Sequence, residues 1–211
     1  MEQTLRLKDI IVVAFDCDGV MFDTTRANMA YYNRILSHFE KPDMTPEQFS
    51  FAHMHTADET IAHLFDDEAS FAAAQIFRKG MSYVPFLKYM EIEPHLKSLI
   101  ERLRPRYKTA IATNRSDTMD RVITEHNLEG YFDLVVSSSD VKQPKPEPDL
   151  LLRIMEHFNI GPRCVIYVGD SELDEQAAKA AGVPFVAYGN TALSADFYIK
   201  SLKEIEDILD R

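Results

Sequence analysis

Positive charge is what this chain has least of: 23 lysines and arginines stand against 34 aspartates and glutamates, for a formal net charge of -11. That balance disfavours nonspecific contact with nucleic acid or an anionic membrane, both of which bind through Lys and Arg set against phosphates. A small phosphorylated ligand would be repelled as well, unless its site supplies positive charge of its own. Cysteine is scarce too. Cys17 and Cys164 could form at most one disulfide, and reduced thiols in a cytoplasmic setting are expected instead, since Cys17 sits inside an acidic turn. No apolar run nears the roughly 20 residues of a membrane span. The start, Met1 to Asp9, lacks the basic stretch and apolar core of a signal peptide, so a cytoplasmic location is expected. Hydrophobic residues at 45% and charged residues at 27% exclude collagen-like and disordered chains.

What is present is an alternation of two patterns. Short β-branched runs at 10–15, 109–113, 134–138, 165–168 and 185–187 read as buried strands. Between the later runs lie stretches of helical period, such as Leu96, Leu99, Ile100 and Leu103, or Leu151, Leu152, Met155 and Phe158. Strand and helix in turn imply parallel pairing through right-handed crossovers, hence an α/β doubly wound, Rossmann-like core with a parallel sheet. From about residue 23 to 88 the rhythm stops. Met29, Tyr32, Ile35, Leu36 and Phe39 share a helical face, and Thr45-Pro46-Glu47-Gln48 and Thr56-Ala57-Asp58-Glu59 match capping boxes. The expected organisation is therefore a core of 1–22 and 89–211 with a small α-helical cap domain of 23–88 inserted.

Chemistry-bearing residues gather at the ends of the predicted strands. Asp16-Cys17-Asp18-Gly19 closes the first, with two carboxylates at i and i+2 directed to one side. Like charges so placed repel unless a cation or a proton relieves them. Thr113-Asn114-Arg115 closes the next, where a hydroxyl and backbone amides can hold a phosphoryl oxygen. In Gln143-Pro144-Lys145-Pro146-Glu147-Pro148-Asp149, alternating prolines predict an extended path that holds Lys145 at a helix entrance, aimed at the acidic cleft. Val168-Gly169-Asp170-Ser171-Glu172-Leu173-Asp174 ends a strand and opens a helix. If its strand neighbours the first, Asp170 converges with Asp16 and Asp18 into an all-oxygen environment suited to magnesium.

Taken in order, Asp16-Cys17-Asp18-Gly19-Val20, Thr113-Asn114, Lys145 in Lys-Pro-Glu-Pro-Asp, and Gly169-Asp170-Ser171 with Asp174 resemble the motifs of the haloacid dehalogenase superfamily of phosphohydrolases. The similarity is to the branch with a helical cap after the first motif, which includes phosphoglycolate phosphatases and β-phosphoglucomutases. The resemblance implies that Asp16 attacks phosphorus to form an aspartyl phosphate, while Asp18 serves as general acid and then base. It implies a magnesium ion between the Asp16 carboxylate, the Asp18 backbone carbonyl and Asp170, with Asp174 acting directly or through water. Thr113, Asn114 and Lys145 hold the transferring oxygens. The expected function is a magnesium-dependent phosphatase of a small phosphorylated metabolite, with a phosphomutase or a noncatalytic binding protein as alternatives. Where β-phosphoglucomutase has a cap-hinge histidine this chain has Asn28, which counts against the mutase. Cys17 is expected to be packing only, and Asp23 to sit at the cap hinge. His53 and His55 are candidates for contact with the substrate beyond its phosphate, and Arg115 for a second anionic group such as a carboxylate.

Overall fold

The computed structural model describes residues 6–54, 57–116 and 118–210. They form two compact units, Met1–Asp23 with Glu91–Arg211, and the inserted Thr24–Met90.

The first unit is built on a six-stranded parallel sheet. Its strands are β1 (Val12–Phe15), β4 (Lys108–Thr113), β5 (Leu134–Ser137), β6 (Val165–Gly169), β7 (Phe185–Tyr188) and β8 (Phe197–Ile199), in the order β5-β4-β1-β6-β7-β8. Two-residue strands β2 (Phe22–Asp23) and β3 (Glu91–Ile92) pair antiparallel where the chain leaves and re-enters this unit. β1 lies at the centre with every residue buried, which is why it reads as a continuous apolar run. Alternation divides its side chains between the two faces. Val12 and Ala14 join Ala110, Ala112, Val165 and Tyr167 in one cluster with Leu150, Leu151 and Ile154 of α7 (Asp149–Phe158) and Ala177 and Ala178 of α8 (Glu172–Ala181). The small residues on the strands let these helices approach closely. Val13, Phe15, Ile111, Ile166 and Val168 are buried on the opposite face. Helices α5 (Leu96–Leu103), α6 (Met119–Glu125) and α9 (Glu204–Leu209) complete the unit.

The inserted unit holds helices α1 (Thr25–His38), α2 (Pro46–Met54), α3 (Ala57–Leu64) and α4 (Glu68–Gly80). The Thr45–Gln48 capping box is formed, with the Thr45 amide donating to Gln48 Oε1 at 2.9 Å and the Gln48 amide to Thr45 Oγ1 at 3.3 Å. Thr56, the cap expected for α3, lies outside the described residues. Tyr32, Ile35 and Leu36 of α1 pack with Ile61 and Leu64 of α3, Phe65, and Ala74 of α4. Met29 shares their sequence periodicity but is 39% exposed, because this cluster begins a turn later at Tyr32. No helix among the described residues is long and apolar enough to cross a membrane.

Candidate active site

The residues of interest in the first unit lie at the carboxyl ends of β4, β1 and β6, three neighbours in the sheet. The alternation that buries Val12 and Ala14 carries on to Asp16, so its carboxylate emerges on the side of Tyr167, while the Asp16 amide donates to Val168 O at 2.9 Å. The chain then turns sharply: the amides of Met21 and Phe22 both donate to Cys17 O at 3.1 Å, and that of Gly19 to Phe22 O at 2.8 Å. Gly19 has φ +82°, and a Cβ there would stand 2.0 Å from Asp170 Oδ2. Glycine thus lets the turn after β1 lie directly on the Asp170 carboxylate. A Cβ at Gly169 would likewise collide with Asp174 Cβ and Cγ at 2.4 and 2.5 Å.

Lys145 is the centre of the arrangement. Its buried ammonium donates to Asp16 Oδ1 at 2.7 Å, Asp174 Oδ1 at 2.7 Å and the Tyr167 hydroxyl at 3.0 Å, with Ala112 O at 3.4 Å. The main chain of Lys145 is fixed from the other side by Asn114, whose Nδ2 donates to Lys145 O at 2.9 Å and whose Oδ1 accepts from Lys145 N at 2.9 Å. The proline-rich segment is a turn rather than the extended path its prolines predict. The Glu147 amide donates to Pro144 O at 3.1 Å, and Pro148 adopts helical angles as the cap of α7. Both ends of the Asn114 amide act on the Lys145 main chain, so this side chain orients the lysine.

Asp174 is fully buried and accepts from five donors: Lys145 and the Tyr167 hydroxyl on Oδ1, and Ser171 Oγ at 2.6 Å, Ser171 N at 3.0 Å and Asp170 N at 3.2 Å on Oδ2. A carboxylate offers about four lone-pair positions, so the Asp174 oxygens are fully engaged by protein donors as they stand. It is also the N3 member of the α8 capping box with Ser171. Asp16 and Asp170 are different. Burial pushes the Asp16 carboxyl up to about 7 although Lys145 pulls it down, and burial with the charges of Asp16 and Asp174 pushes Asp170 up to about 8. Burial also acts on Lys145 and Asp174, but the charges of Asp16 and then Asp174 hold the ammonium above its usual range, and the charge of Lys145 holds the Asp174 carboxyl below its own.

Four aspartates, 16, 18, 170 and 174, face two cations, Lys145 and Arg115, which leaves two negative charges when all are ionised. Oxygens of Asp16, Asp170 and Asp174 lie within 4.8 Å of one another. Hard oxygen donors with an uncompensated charge of two fit a divalent cation.

Residues 13–188 match the sequence profile of the haloacid dehalogenase-like hydrolases. The chain belongs to that family. It is 38% identical to a solved HAD-superfamily hydrolase of subfamily IA from Geobacter sulfurreducens PCA, with a TM-score of 0.84 over 95% of this chain and 97% of that one. It is 25% identical over 198 residues to a phosphoglycolate phosphatase of Aquifex aeolicus, covering 93% of this chain and 90% of that protein. It is 29% identical over 183 residues to a phosphorylated carbohydrates phosphatase of Thermotoga maritima, covering 81% of each.

Within this hydrolase fold the remaining predicted residues fall as follows. Thr113 is buried at the end of β4, its hydroxyl accepting from the Arg115 amide at 3.1 Å. Arg115 is paired with Asp18: its Nε and Nη2 donate to Asp18 Oδ2 and Oδ1 at 3.1 and 2.5 Å. Cys17 is a buried free thiol whose pKa burial pushes well above its usual value. Asp23 is exposed in β2, and His53 lies in α2 of the inserted unit, while His55 is outside the described residues. Asn28 donates from Nδ2 to Thr24 Oγ1 at 3.3 Å and accepts from the Tyr83 hydroxyl at 2.6 Å, all within the inserted unit.

Tyr167 is the site residue that sequence reasoning missed. Its fully buried hydroxyl lies 2.7 Å from Asp174 Oδ1 and 3.1 Å from Ala112 O, and accepts from Lys145. The one available signal was a polar-tipped aromatic inside an otherwise aliphatic strand.

Proposed function

We propose that this hydrolase is a magnesium-dependent phosphatase of small phosphate monoesters, of the phosphoglycolate or sugar phosphate kind, acting through phosphorylated Asp16. The observation that carries the reading is the Lys145 ammonium, buried and shared between Asp16 and the saturated Asp174. A carboxylate held in one orientation by a fixed cation, with a second oxygen not taken by that cation, is arranged for in-line attack. The names of the curated relatives, a phosphoglycolate phosphatase and a phosphorylated carbohydrates phosphatase, support the substrate class.

Asp16 and Asp170, with the Asp18 backbone carbonyl, are the residues assigned to hold magnesium, and Asp174 acts behind them through Lys145 and the 170–171 amides. When bound, the ion supplies the positive charge that lets a phosphate dianion approach a carboxylate. The steps belong to the chain's own groups. Asp16 attacks phosphorus. Thr113 and Lys145 steady the phosphoryl oxygens, and Asn114 keeps Lys145 in register. Asp18 gives a proton to the departing oxygen and later takes one from the hydrolytic water, for which it must turn from Arg115. The inserted helical unit is assigned to substrate selection as a cap, with His53 and His55 as its candidate contacts.

The test is release of inorganic phosphate from an aryl phosphate and from a panel of phosphorylated metabolites, with and without magnesium, beside Asp16→Asn. Turnover that requires the metal and is abolished in the variant is the expected result. Interconversion of glucose 1- and 6-phosphates without net phosphate release would replace this reading with a mutase. Metal-independent turnover, or full activity in Asp16→Asn, would refute it.

A further inference from the structure

We propose that Arg115 is a latch on Asp18, opened when a carboxylate carried by the substrate takes over the guanidinium. The inference rests on the phosphatase reading and narrows it: the favoured substrates are phosphate monoesters with a carboxylate close to the phosphate.

The geometry supplies three reasons. The guanidinium holds both oxygens of Asp18, one donor on each, so the carboxylate is fixed in the plane of that fork and must turn out of it to face a leaving group. Arg115 is also anchored independently of Asp18. Its amide donates to Thr113 Oγ1 at 3.1 Å, its carbonyl accepts from Ser138 N and Oγ at 3.1 and 3.3 Å, and its Nη1 donates to Thr118 Oγ1 at 3.1 Å. Finally, the Arg115 side chain is 8% exposed and that of Asp18 37%. When the pair opens, the aspartate has room to move and the arginine stays, presenting its donor fork towards the solvent side of the pair.

A planar fork matches a carboxylate through two parallel hydrogen bonds. Exchange of the Asp18 carboxylate for one on the substrate keeps the guanidinium paired and releases Asp18. A phosphate ester with an uncharged alcohol portion offers no replacement. It can use Asp18 only by leaving a largely buried cation without that partner, which is the kind of mismatch that discriminates strongly between ligands. Arg115 therefore couples recognition of the non-phosphate end of the substrate to the freedom of Asp18, the group assigned to proton transfer.

Two arms test this. In the unaltered protein with magnesium, hydrolysis of p-nitrophenyl phosphate is followed while acetate or glycolate is added, with chloride at equal ionic strength as control. The carboxylates are expected to raise kcat severalfold and chloride is not. In the second arm, Arg115→Gln is expected to lower the kcat/KM ratio of 2-phosphoglycolate to p-nitrophenyl phosphate by about 100-fold and to abolish the response to acetate, while Arg115→Lys, lacking the fork, recovers only part of either. An unaltered protein indifferent to acetate, or an unchanged ratio in Arg115→Gln, would overturn the latch. Absence of any magnesium-dependent hydrolysis removes the phosphatase reading and the latch together, whereas hydrolysis insensitive to both arms removes the latch alone.

Discussion

Replacing Lys145 with methionine keeps the length of the side chain and removes its charge. Two buried carboxylates, Asp16 and Asp174, then lose a partner that each meets at 2.7 Å. Breaking a buried pair by deleting one member costs about 3–5 kcal/mol, because the remaining charge stays uncompensated. At about 2–4 °C per kcal/mol for a domain of this size, the melting temperature should fall by roughly 6–20 °C. The loss must also depend on pH. Lys145 holds the Asp174 carboxyl below its ordinary value of 3.8, so its stabilisation is present above that value and disappears as pH falls through the lower folded-state value. The difference between the two proteins should be greatest where both carboxylates are ionised, shrink as Asp16, raised to about 7, accepts its proton, and vanish as pH falls below 3.8 and Asp174 is protonated in turn. Thermal unfolding in a chelator, from acid to neutral pH, measures it. A difference below about 1 kcal/mol, or one that does not change with pH, would refute the view that this ammonium neutralises the core of the site.

Three more outcomes follow from the same geometry. Tyr167→Phe removes a hydroxyl that touches Lys145 and Asp174, and should cost about 1.5–3 kcal/mol of stability and lower kcat about 10- to 100-fold with little change in KM; equal losses in both constants would argue against a positioning role. Gly19→Ala forces a Cβ to within 2.0 Å of Asp170 Oδ2 at φ +82°, so magnesium affinity should fall by more than about 10-fold while the far-UV spectrum is retained, as titration calorimetry and circular dichroism would show. Asp170, raised to about 8 from 3.8, gives the metal-free folded protein a proton that the unfolded chain lacks between those values. Its stability should therefore decline as pH rises through that window, and the thermal shift produced by magnesium should grow over the same range; a shift that is flat with pH contradicts the assignment of Asp170 as a ligand.

The sheet was legible because its strands are buried on both faces and carry an aliphatic run that ends in a polar turn. The motifs at the ends of β1, β4 and β6 could be joined once parallel neighbours were inferred, since parallel pairing places all three ends at one edge. Strand β8 went unread: Phe197-Tyr198-Ile199 is three residues at the margin of the sheet, too short for a period. The three prolines around Lys145 suggested extension where the segment turns, since proline fixes φ near the value that turns and helix starts also use. Tyr167 looked like one more core residue, because a strand pattern records which face a side chain takes and not what its hydroxyl meets. Pairings such as Arg115 with Asp18, 97 positions apart, and Asn114 with Lys145, 31 apart, depend on side-chain reach that no local pattern encodes.

Because Asp174 belongs both to the first turn of α8 and to the anchorage of Lys145, fraying of that helix and dismantling of the buried charge network around Lys145 are one event. Amide exchange at positions 170, 171 and 174 thus becomes a gauge of how often that network opens, readable without any substrate.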